Sequence, residues 1–293
     1  MHTYRDQVLY IRSNRGSFIP LGVTMPTDTG VEQLPLAVLI HGYKSDMATD
    51  GLFADYRDLP RTMEPAWRGA GLCAVLASRG IIAVRVNLAG TAYSTDSFRS
   101  YSLTSGCNDV WTTVRYLEEN YPVDRGHIGL VGHSMGGRMA CLLASAHADR
   151  IRAIALLAPA INTAAELLSY IDPSGMLERT AARAGFAVVR SDYYGELEMS
   201  QALFQEIRFL DPVAPLRDFL AIRPHGALVL TGGQDTIIPS EQIRASLEGL
   251  DVTVREFSEA DHDFCIYEDR PAVTEDVLGT VADFLDDQIN RHL

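Results

Sequence analysis

The residues best suited to chemistry stand together in Gly132-His133-Ser134-Met135-Gly136, which has the pattern G-x-S-x-G. A short apolar run precedes this pattern and a helix-like stretch follows it, so the serine is expected on a sharp strand-to-helix turn. Glycine is needed beside the serine because larger side chains would collide on so tight a turn. The turn exposes the hydroxyl at the positive end of a helix. Ser134 is therefore a candidate nucleophile.

Two later residues have the types and positions needed to activate Ser134. A serine hydroxyl is a poor nucleophile until a base removes its proton, and an acid must orient that base. Asp235 comes closely after the apolar run LVLTGG, and His262 follows the next predicted strand, VTVREF. For a serine on a strand-to-helix turn of this kind, the expected order along the chain is serine, acid, histidine. The sequence therefore predicts a catalytic triad of Ser134, Asp235 and His262.

Each partner of the serine has a simpler interpretation when it is considered alone. Asp235 stands shortly before Pro239 and is also typical of a turn or helix-capping aspartate. His262 lies between Asp261 and Asp263, as a histidine on a surface loop would. The presence of all three residues in the expected order favours the triad over these alternatives.

Acyl transfer also requires two backbone N–H groups that face the developing oxyanion. One is expected from Met135, the residue after the nucleophile. The other is expected from Tyr43, because Gly42 permits a close backbone approach after the apolar run LPLAVLI. The alternative interpretation of the His-Gly pair is an ordinary turn after a strand. The sequence thus predicts an oxyanion hole formed by Tyr43 and Met135.

The other histidines and motifs indicate no second chemistry. His41 ends a strand in the wrong chain order for the base, so we expect a structural histidine that bonds nearby backbone. His133 lies inside the turn and is expected to point elsewhere. No H-x-x-x-H or H-x-H pair occurs, and both nucleotide patterns, G-x-G-x-x-G and G-x-x-x-x-G-K-[ST], are missing. We therefore expect neither a metal nor a cofactor.

Strand-like runs alternate with helical patterns along most of the chain, which predicts an α/β fold with a mostly parallel sheet. The predicted strands are QVLYIRS, SFIPLGVTMP, LPLAVLIHGY, IIAVRVNLAG, HIGLVGH, IRAIALLAPA, GALVLTGGQDTIIP and DVTVREFSEADHDF. The predicted helices are EPAWRGAGLCAVLASRG, GCNDVWTTVRYLEENYP with Asn108 as its cap, MGGRMACLLASAHA, SEQIRASLEGL and a closing helix from about Ala272 to His292.

The alternation stops at residue 162 and resumes after residue 220. The intervening stretch is largely helical and amphipathic, with a short FAVVR run. We expect residues 1–161 and 221–293 to form the core and residues 162–220 to form an inserted lid. A structural helical layer without a binding role is the alternative. The aromatic residues that are candidates for an acyl pocket are Phe186, Tyr193, Tyr194 and Phe204.

Composition narrows the class of protein. The chain has 293 residues, of which 47% are hydrophobic and 22% charged, as in ordinary globular proteins. A net charge of -13 disfavours nucleic acid and anionic membranes as partners. No apolar run is long enough to span a membrane, and the four cysteines form no CxxC pair. These features predict a reduced, cytoplasmic protein, with the oligomeric state open, a homodimer included.

The combination of LAVLIHGY, GLVGHSMGG, LTGGQDTIIP and EADHDF resembles the α/β-hydrolase superfamily, nearly from end to end. It is most similar to cinnamoyl and feruloyl esterases and related serine acyl hydrolases. The resemblance implies a lid after the sixth strand, the triad Ser134, Asp235 and His262, and an oxyanion hole at Tyr43 and Met135. One segment departs from it: where relatives often have D-x-R-G-x-G-x-S, residues 87–94 read NLAGTAYS.

The sequence therefore predicts a serine hydrolase that cleaves carboxylic esters, with aryl or hydrophobic acyl esters as candidate small-molecule substrates. A thioesterase, an amidase or an acyltransferase would use the same acyl-serine, and no motif separates these activities. A hydrolase-fold protein that binds a ligand with little turnover is the alternative from another class.

Overall fold

The computed structural model describes residues 1–47, 52–53, 70–91, 93–191, 195–268 and 270–290. Strands in this part of the chain are β1 (Tyr4–Arg12), β2 (Phe18–Pro26), β3 (Leu34–Ile40), β4 (Ile82–Val86), β5 (Val123–His133), β6 (Ile151–Leu157), β7 (Phe186–Ser191), β8 (Gly195–Ser200), β9 (Ala227–Gly232) and β10 (Thr253–Phe257). Helices are α1 (Leu72–Ser78), α2 (Leu103–Asn120), α3 (Met135–Ala146), α4 (Ala164–Ile171), α5 (Met176–Ala184), α6 (Gln201–Phe209), α7 (Val213–Ile222), α8 (Ser240–Ser246) and α9 (Pro271–Leu285).

Eight strands form one sheet in the order β1-β2-β4-β3-β5-β6-β9-β10. β1 pairs antiparallel with β2, and β2 with β4, whereas the remaining neighbours pair in parallel. This mostly parallel sheet with flanking helices confirms the predicted α/β class. Because parallel strands share one carboxyl edge, the residues that follow β3, β5, β9 and β10 come close together there.

Both faces of the sheet are covered by helices, which explains the continuous apolar runs in the sequence. On β3, Leu36, Val38 and Ile40 belong to one hydrophobic cluster, which includes residues of α2, α3 and α8. Ala37 and Leu39 alternate with them and join a second cluster on the other face, with residues of α1 and α9. The central strands are thus buried on both sides, as a rigid support for the loops at their ends.

Several local elements differ from the sequence-based expectation. Of the helix predicted at residues 64–80 the structure has α1, and residues 64–69 lie outside the described residues; α9 ends at Leu285 and not near His292. α2 begins at Leu103, earlier than predicted, and its cap is Ser102 instead of Asn108, because Ser102 and Ser105 form a reciprocal capping box. The FAVVR run is the first strand of a β7–β8 hairpin inside the otherwise helical stretch between β6 and β9. The second strand, GELEMS, alternates polar and apolar residues over only four positions, and it contains glycine and glutamates, which are depleted in strands, so the sequence did not indicate it.

Candidate active site

Ser134 lies between β5 and α3 in a backbone conformation that few side chains adopt, with φ 52° and ψ −117°. Its N–H donates to the carbonyl oxygen of Leu157 at 2.9 Å. Its own carbonyl accepts from the amides of Gly137 at 3.0 Å and Ala160 at 2.9 Å. The bonds to Leu157 of β6 and to Ala160 after it hold the strained turn against the neighbouring strand, and the bond from Gly137 joins it to α3.

The glycines around Ser134 are required by close backbone contacts. A Cβ at Gly132 would overlap the backbone of Gly136, and a Cβ at Gly136 would overlap the carbonyl of Ile40 at the end of β3. A Cβ at Gly137 would lie 2.7 Å from the Cβ of Pro159. The pattern G-x-S-x-G therefore reflects the packing of this turn against its neighbours.

Asp235 and His262 meet beside this turn. The Nδ1 atom of His262 lies 2.7 Å from Oδ2 of Asp235, and the aspartate side chain is fully buried. The other carboxylate oxygen, Oδ1, accepts the amides of Ile237 at 2.8 Å and Ile238 at 2.9 Å. Three donors therefore fix the orientation of the Asp235 carboxylate.

The hydrogen bond between these residues determines which nitrogen of His262 carries a proton. An ionised carboxylate only accepts hydrogen bonds, so Nδ1 of His262 is the donor and its proton lies toward Asp235. The lone pair of the neutral ring is then on Nε2. This is the tautomer that a general base requires when its Nδ1 is held by an acid.

His133 connects the serine turn to the histidine loop. Its Nε2 atom lies 3.1 Å from the carbonyl oxygen of His262, and the two rings are 5.1 Å apart between centroids. Its buried ring is thus directed at the backbone of the loop that carries His262. Sequence reasoning missed this role, since a histidine beside the nucleophile carries no signal of its orientation.

The acids on either side of His262 have other positions. Oδ1 of Asp261 accepts the amide of Cys265 at 2.8 Å, which stabilises the loop itself. Oδ1 of Asp263 lies 4.0 Å from Nε2 of His133, and its side chain is 44% exposed. The hydrogen bond to Nδ1 of His262 thus involves Asp235, from the end of β9.

The loop after β3 lies directly against Ser134. A Cβ built on Gly42 would be 3.2 Å from Cβ and 3.7 Å from Oγ of Ser134, so a side chain at this position would crowd the nucleophile. Tyr43 follows Gly42, and Met135 is the first residue of α3. The N–H of Met135 has no acceptor within its own helix, because the first amides of a helix lack one. The two predicted oxyanion donors thus directly follow Gly42 and Ser134 in the chain.

The side chain of Tyr43 packs into an aromatic cluster. Its ring lies 6.0 Å between centroids from both Phe98 and Tyr101, which stack on each other at 4.9 Å. Its hydroxyl donates to Sδ of Met199 on β8, at 2.9 Å. Burial, and to a lesser extent the nearby Tyr170 on α4, raises the pKa of Tyr43 above its usual range, so the hydroxyl stays protonated. The loop after β3 is thus attached to β8 through an uncharged tyrosine.

Comparison with known families identifies this architecture. A model described as the alpha/beta hydrolase family matches residues 37–277. The chain belongs to the alpha/beta hydrolase family. A search of curated proteins finds no match in sequence.

Solved alpha/beta hydrolase structures share the fold over nearly the whole chain. Est1E from Butyrivibrio proteoclasticus, solved with bound ferulic acid, is 19% identical with a TM-score of 0.68, covering 96% of this chain and 99% of that one. The esterase domain of a Rhodothermus marinus protein is 16% identical with a TM-score of 0.66, covering 97% and 99%. The acylaminoacyl peptidase of Pyrococcus horikoshii is 17% identical with a TM-score of 0.64, covering 99% of this chain and 42% of that one.

The segment between β6 and β9 of this alpha/beta hydrolase contains the predicted acyl-pocket residues. Phe186 begins β7, and the guanidinium of Arg99 lies 3.5 Å from the centroid of its ring. Phe204 lies on α6 with only 1% of its surface exposed, packed in the hydrophobic core. Tyr193 and Tyr194 lie outside the described residues.

This segment is attached to the core at its hairpin and at α6. Arg99, in the loop between β4 and α2, forms a two-pronged ion pair with Glu198 of β8, at 2.6 and 2.9 Å. Glu206 of α6 accepts the amide of Leu103 at 2.6 Å and that of Thr104 at 3.3 Å, at the positive end of α2. The first contact joins the segment to the loop that carries the aromatic partners of Tyr43, and the second joins it to the start of α2, directly after that loop.

A buried arginine on α3 binds the carboxyl end of α6. Arg138 donates to the carbonyl oxygens of Ala160 at 3.0 Å, Ile207 at 3.0 Å and Leu210 at 2.7 Å. Burial lowers the pKa of this guanidinium to about 10, so it remains charged at neutral pH. It thus supplies a cation at the negative end of α6. α7 also packs against α3.

Two kinds of feature are missing from the part of the chain that the structure describes. Within the ranges given above, the histidine, cysteine, aspartate and glutamate side chains form no group of three or more able to hold a metal ion. In the same ranges, every helix is too short or too polar to cross a bilayer. The residues that meet at the sheet edge are those suited to acyl transfer.

Proposed function

We propose that this alpha/beta hydrolase is a serine esterase that cleaves carboxylic esters through an acyl-serine intermediate. The observation that carries the proposal is the 2.7 Å hydrogen bond between His262 and Asp235, formed beside the strained turn at Ser134. Family membership supports hydrolysis, whereas the ester as substrate is inferred from this site and from the esterases among the structural neighbours. No metal or cofactor takes part in the proposed reaction.

In the first half of the reaction, Nε2 of His262 takes the hydroxyl proton as Oγ of Ser134 attacks the ester carbonyl. The N–H groups of Tyr43 and Met135 donate to the tetrahedral oxyanion. The intermediate collapses, the carbon–oxygen bond to the alcohol breaks, and His262 delivers its proton to that oxygen. Asp235 stabilises the imidazolium throughout this half without taking its proton.

In the second half, water attacks the carbonyl carbon of the acyl-serine. His262 accepts a proton from that water, and the same two amides donate to the second oxyanion. Collapse of this intermediate breaks the bond to Oγ, and His262 returns the proton to Ser134. The products are one alcohol and one carboxylic acid for each water consumed.

The surroundings of Tyr43 support an aryl or otherwise hydrophobic acyl group as substrate. Tyr43 follows Gly42, which lies close to Ser134. Phe98 and Tyr101 pack near its ring, and Met199 accepts from its hydroxyl. Acyl pockets are mostly apolar with a few polar anchors. Est1E, which shares the fold, was solved with ferulic acid, an aromatic acid.

We also propose that residues 162–220 act as the lid of this site. Phe186, Tyr193 and Tyr194 are its candidate acyl-pocket residues, whereas Phe204 packs in the hydrophobic core. The contact between Tyr43 and Met199 supports the assignment, because it joins an oxyanion-loop residue directly to the β7–β8 hairpin. Substrate that lies between the hairpin and Ser134 would be shielded from water.

Steady-state hydrolysis of a substrate panel tests the proposed function. The panel contains p-nitrophenyl acetate, p-nitrophenyl butyrate, methyl hydroxycinnamates, matched acyl-thioesters and acyl anilides. The parent is expected to hydrolyse at least one oxygen ester, and Ser134→Ala to lose about 10⁴–10⁶ of that turnover. Ser78→Ala is the matched control. Ser78 ends α1 just before the amino end of β4, so it lies at the edge of the sheet opposite Ser134.

The panel also separates the proposal from its alternatives. Turnover of thioesters or anilides with no turnover of oxygen esters would assign the same triad to a different bond. Binding of panel compounds without turnover, together with an unreactive Ser134, would indicate a ligand-binding protein instead. Full activity in a folded Ser134→Ala variant would show that the nucleophile is misassigned.

A further inference from the structure

The backbone of Ser134 is braced by the loop that follows β6. Its carbonyl accepts the amide of Ala160 at 2.9 Å, and its amide donates to the carbonyl oxygen of Leu157 at the end of β6. This loop is strained as well, because Ala158 has a φ of 41° although it carries a Cβ. Two strained turns, one at Ser134 and one at Ala158, therefore hold each other through backbone hydrogen bonds.

Arg138 holds the same loop through its guanidinium. One arm, Nη1, donates to the carbonyl oxygen of Ala160 at 3.0 Å. Arg138 lies about one helical turn after Ser134 on α3, so the serine and the arginine bond the same residue of the loop. Ala160 is thus fixed twice, by its amide to the carbonyl of the nucleophile and by its own carbonyl to Arg138.

The other arm of the guanidinium bonds the inserted segment. Nη2 donates to the carbonyl oxygens of Ile207 at 3.0 Å and Leu210 at 2.7 Å, at the carboxyl end of α6. The last carbonyls of a helix have no acceptor role within it, so Arg138 supplies donors that α6 lacks there. Arg138 is only 2% exposed, so water does not replace these bonds. One buried side chain therefore joins the nucleophile turn to α6.

The connection depends on the shape of arginine. The guanidinium is a rigid plane whose N–H groups point in fixed directions, so its two arms hold Ala160 and the end of α6 at a set separation. A lysine ammonium is a compact point charge and does not span both sets of acceptors. A buried cation that lost its acceptors would be costly, so the guanidinium remains bonded as long as α6 is docked.

We infer that Arg138 is a positioning residue that makes the reactivity of Ser134 depend on the docking of α6. With α6 in place, Arg138 holds Ala160, and Ala160 holds the strained turn. With α6 displaced, this support is lost, and the hydroxyl leaves the position from which His262 takes its proton. The inference rests on the proposed function, and it gives residues 162–220 a role in positioning the nucleophile in addition to that of a lid.

Arg138→Lys tests the inference because it keeps the charge and removes the fork. The substrate is p-nitrophenyl acetate, whose small acyl group depends least on contacts with the inserted segment. The second probe is a small fluorophosphonate, which phosphonylates Ser134 with loss of fluoride. Both kcat and the labelling rate should fall by about 10²-fold, the effect of displacing reacting groups by about 1 Å. KM should change less than about threefold.

Chemical rescue separates positioning from a loss of packing. Arg138→Ala leaves a space where the guanidinium was, and millimolar guanidinium chloride should recover at least about tenfold of the lost labelling rate, because the free ion supplies the same planar donors. Methylammonium chloride at the same concentration is the control ion and should recover none of it. The parent protein should respond to neither salt.

Arg223 provides the matched control variant at the far end of α3. Its guanidinium also bonds two backbone carbonyls, those of Ala148 at 3.1 Å and Asp149 at 3.3 Å, just after the helix ends. Arg223→Lys should stay within about twofold of the parent in kcat and labelling rate, even where its melting temperature falls as far as that of Arg138→Lys.

A variant on α6 itself keeps the inference falsifiable if the Arg138 variants do not fold. Glu206→Ala removes the carboxylate that docks α6 on the first amides of α2 and should lower the labelling rate about two- to fivefold. A folded Arg138→Lys variant with parental labelling would overturn the inference, and so would parental labelling in Glu206→Ala where no Arg138 variant folds. Absence of labelling at Ser134 in the parent would instead overturn the proposed function, and this inference with it.

Discussion

The Nδ1 atom of His262 lies 2.7 Å from Oδ2 of Asp235, a residue 27 positions earlier, although Asp261 and Asp263 are its immediate neighbours. Asp235 comes from the end of β9, where two backbone amides hold its second oxygen. Asp261 accepts the amide of Cys265 instead. The carboxylate that bonds His262 therefore comes from the loop after the neighbouring strand and not from a residue adjacent in the sequence.

Asp235→Asn is expected to reduce ester turnover by about 10⁴ at neutral pH. The amide keeps the shape of the carboxylate but loses the charge that stabilises the imidazolium, and it favours the wrong tautomer of His262. Asp261→Asn and Asp263→Asn are matched controls, expected to stay within about tenfold of the parent. Severe loss in either control, with mild loss in Asp235→Asn, would reassign the acid.

Phe204→Ala is expected to act on stability. Its side chain is buried in the core, so truncation should lower the free energy of unfolding by about 3–5 kcal/mol. Phe209→Ala on the same helix is the control, because Phe209 is 80% exposed and should change stability by less than about 0.5 kcal/mol. Urea denaturation of both variants measures the difference. Equal stabilities would contradict the buried position of Phe204.

The ion pair between Arg99 and Glu198 is expected to influence selectivity for the acyl group. Arg99→Glu or Glu198→Arg should place like charges between the hairpin and the core. We expect kcat/KM for a hydroxycinnamate ester to fall about two- to fivefold relative to acetate, because exposed pairs contribute little. The charge-swapped double variant should restore the parental ratio, and high salt should remove the effect. Unchanged ratios in both single variants would contradict a lid attached through this pair.

Acid should loosen the segment between β6 and β9. Burial opposes ionisation of Asp172, but the amides of Glu178, Leu177 and Met176 outweigh it and lower the pKa of Asp172. Hydrogen bonds from Arg208 and Arg99 lower the pKa values of Glu178 and Glu198 below their usual range. Because these folded-state pKa values are depressed, the stabilisation is present above the unfolded values and lost as pH falls through the folded ones.

Hydrogen exchange measures this loss. Amides of α5, α6 and the β7–β8 hairpin should exchange faster below about pH 4 than at pH 7, after correction for the intrinsic rate, while β3 and β5 stay protected. The variant Glu178→Gln with Glu198→Gln should show part of this loosening already at pH 7. Equal corrected protection of the segment at both pH values would contradict the prediction.

Much of this fold follows from the sequence because its signals are local. The apolar runs of β3, β5 and β9 indicate strands buried on both faces, and the glycines at 132 and 136 indicate the turn at Ser134. The start of α2 was missed because Ser102 competes with Asn108 as a cap, and the capping box with Ser105 decides between them. Either residue type is a favourable cap, so the type alone does not choose.

The contacts between distant segments could not be predicted in the same way. The bond of Tyr43 to Met199 and the hydrogen bonds of Arg138 to α6 join residues more than sixty positions apart. His41 was expected to bond nearby backbone and does so at Gly42 and Leu88, but the sequence did not indicate these partners. Side-chain direction depends on packing, which single-sequence patterns do not contain.

The central claim is that Ser134 is an activated nucleophile that becomes acylated. The direct measurement is rapid mixing with a p-nitrophenyl ester, acid quench and mass spectrometry of the digested protein. We predict a burst of one p-nitrophenolate per chain and a single acyl group on the peptide that contains Ser134, absent from Ser134→Ala and present in Ser78→Ala. Ester hydrolysis by the parent without any adduct on Ser134, or with the acyl group on another residue, would contradict the account.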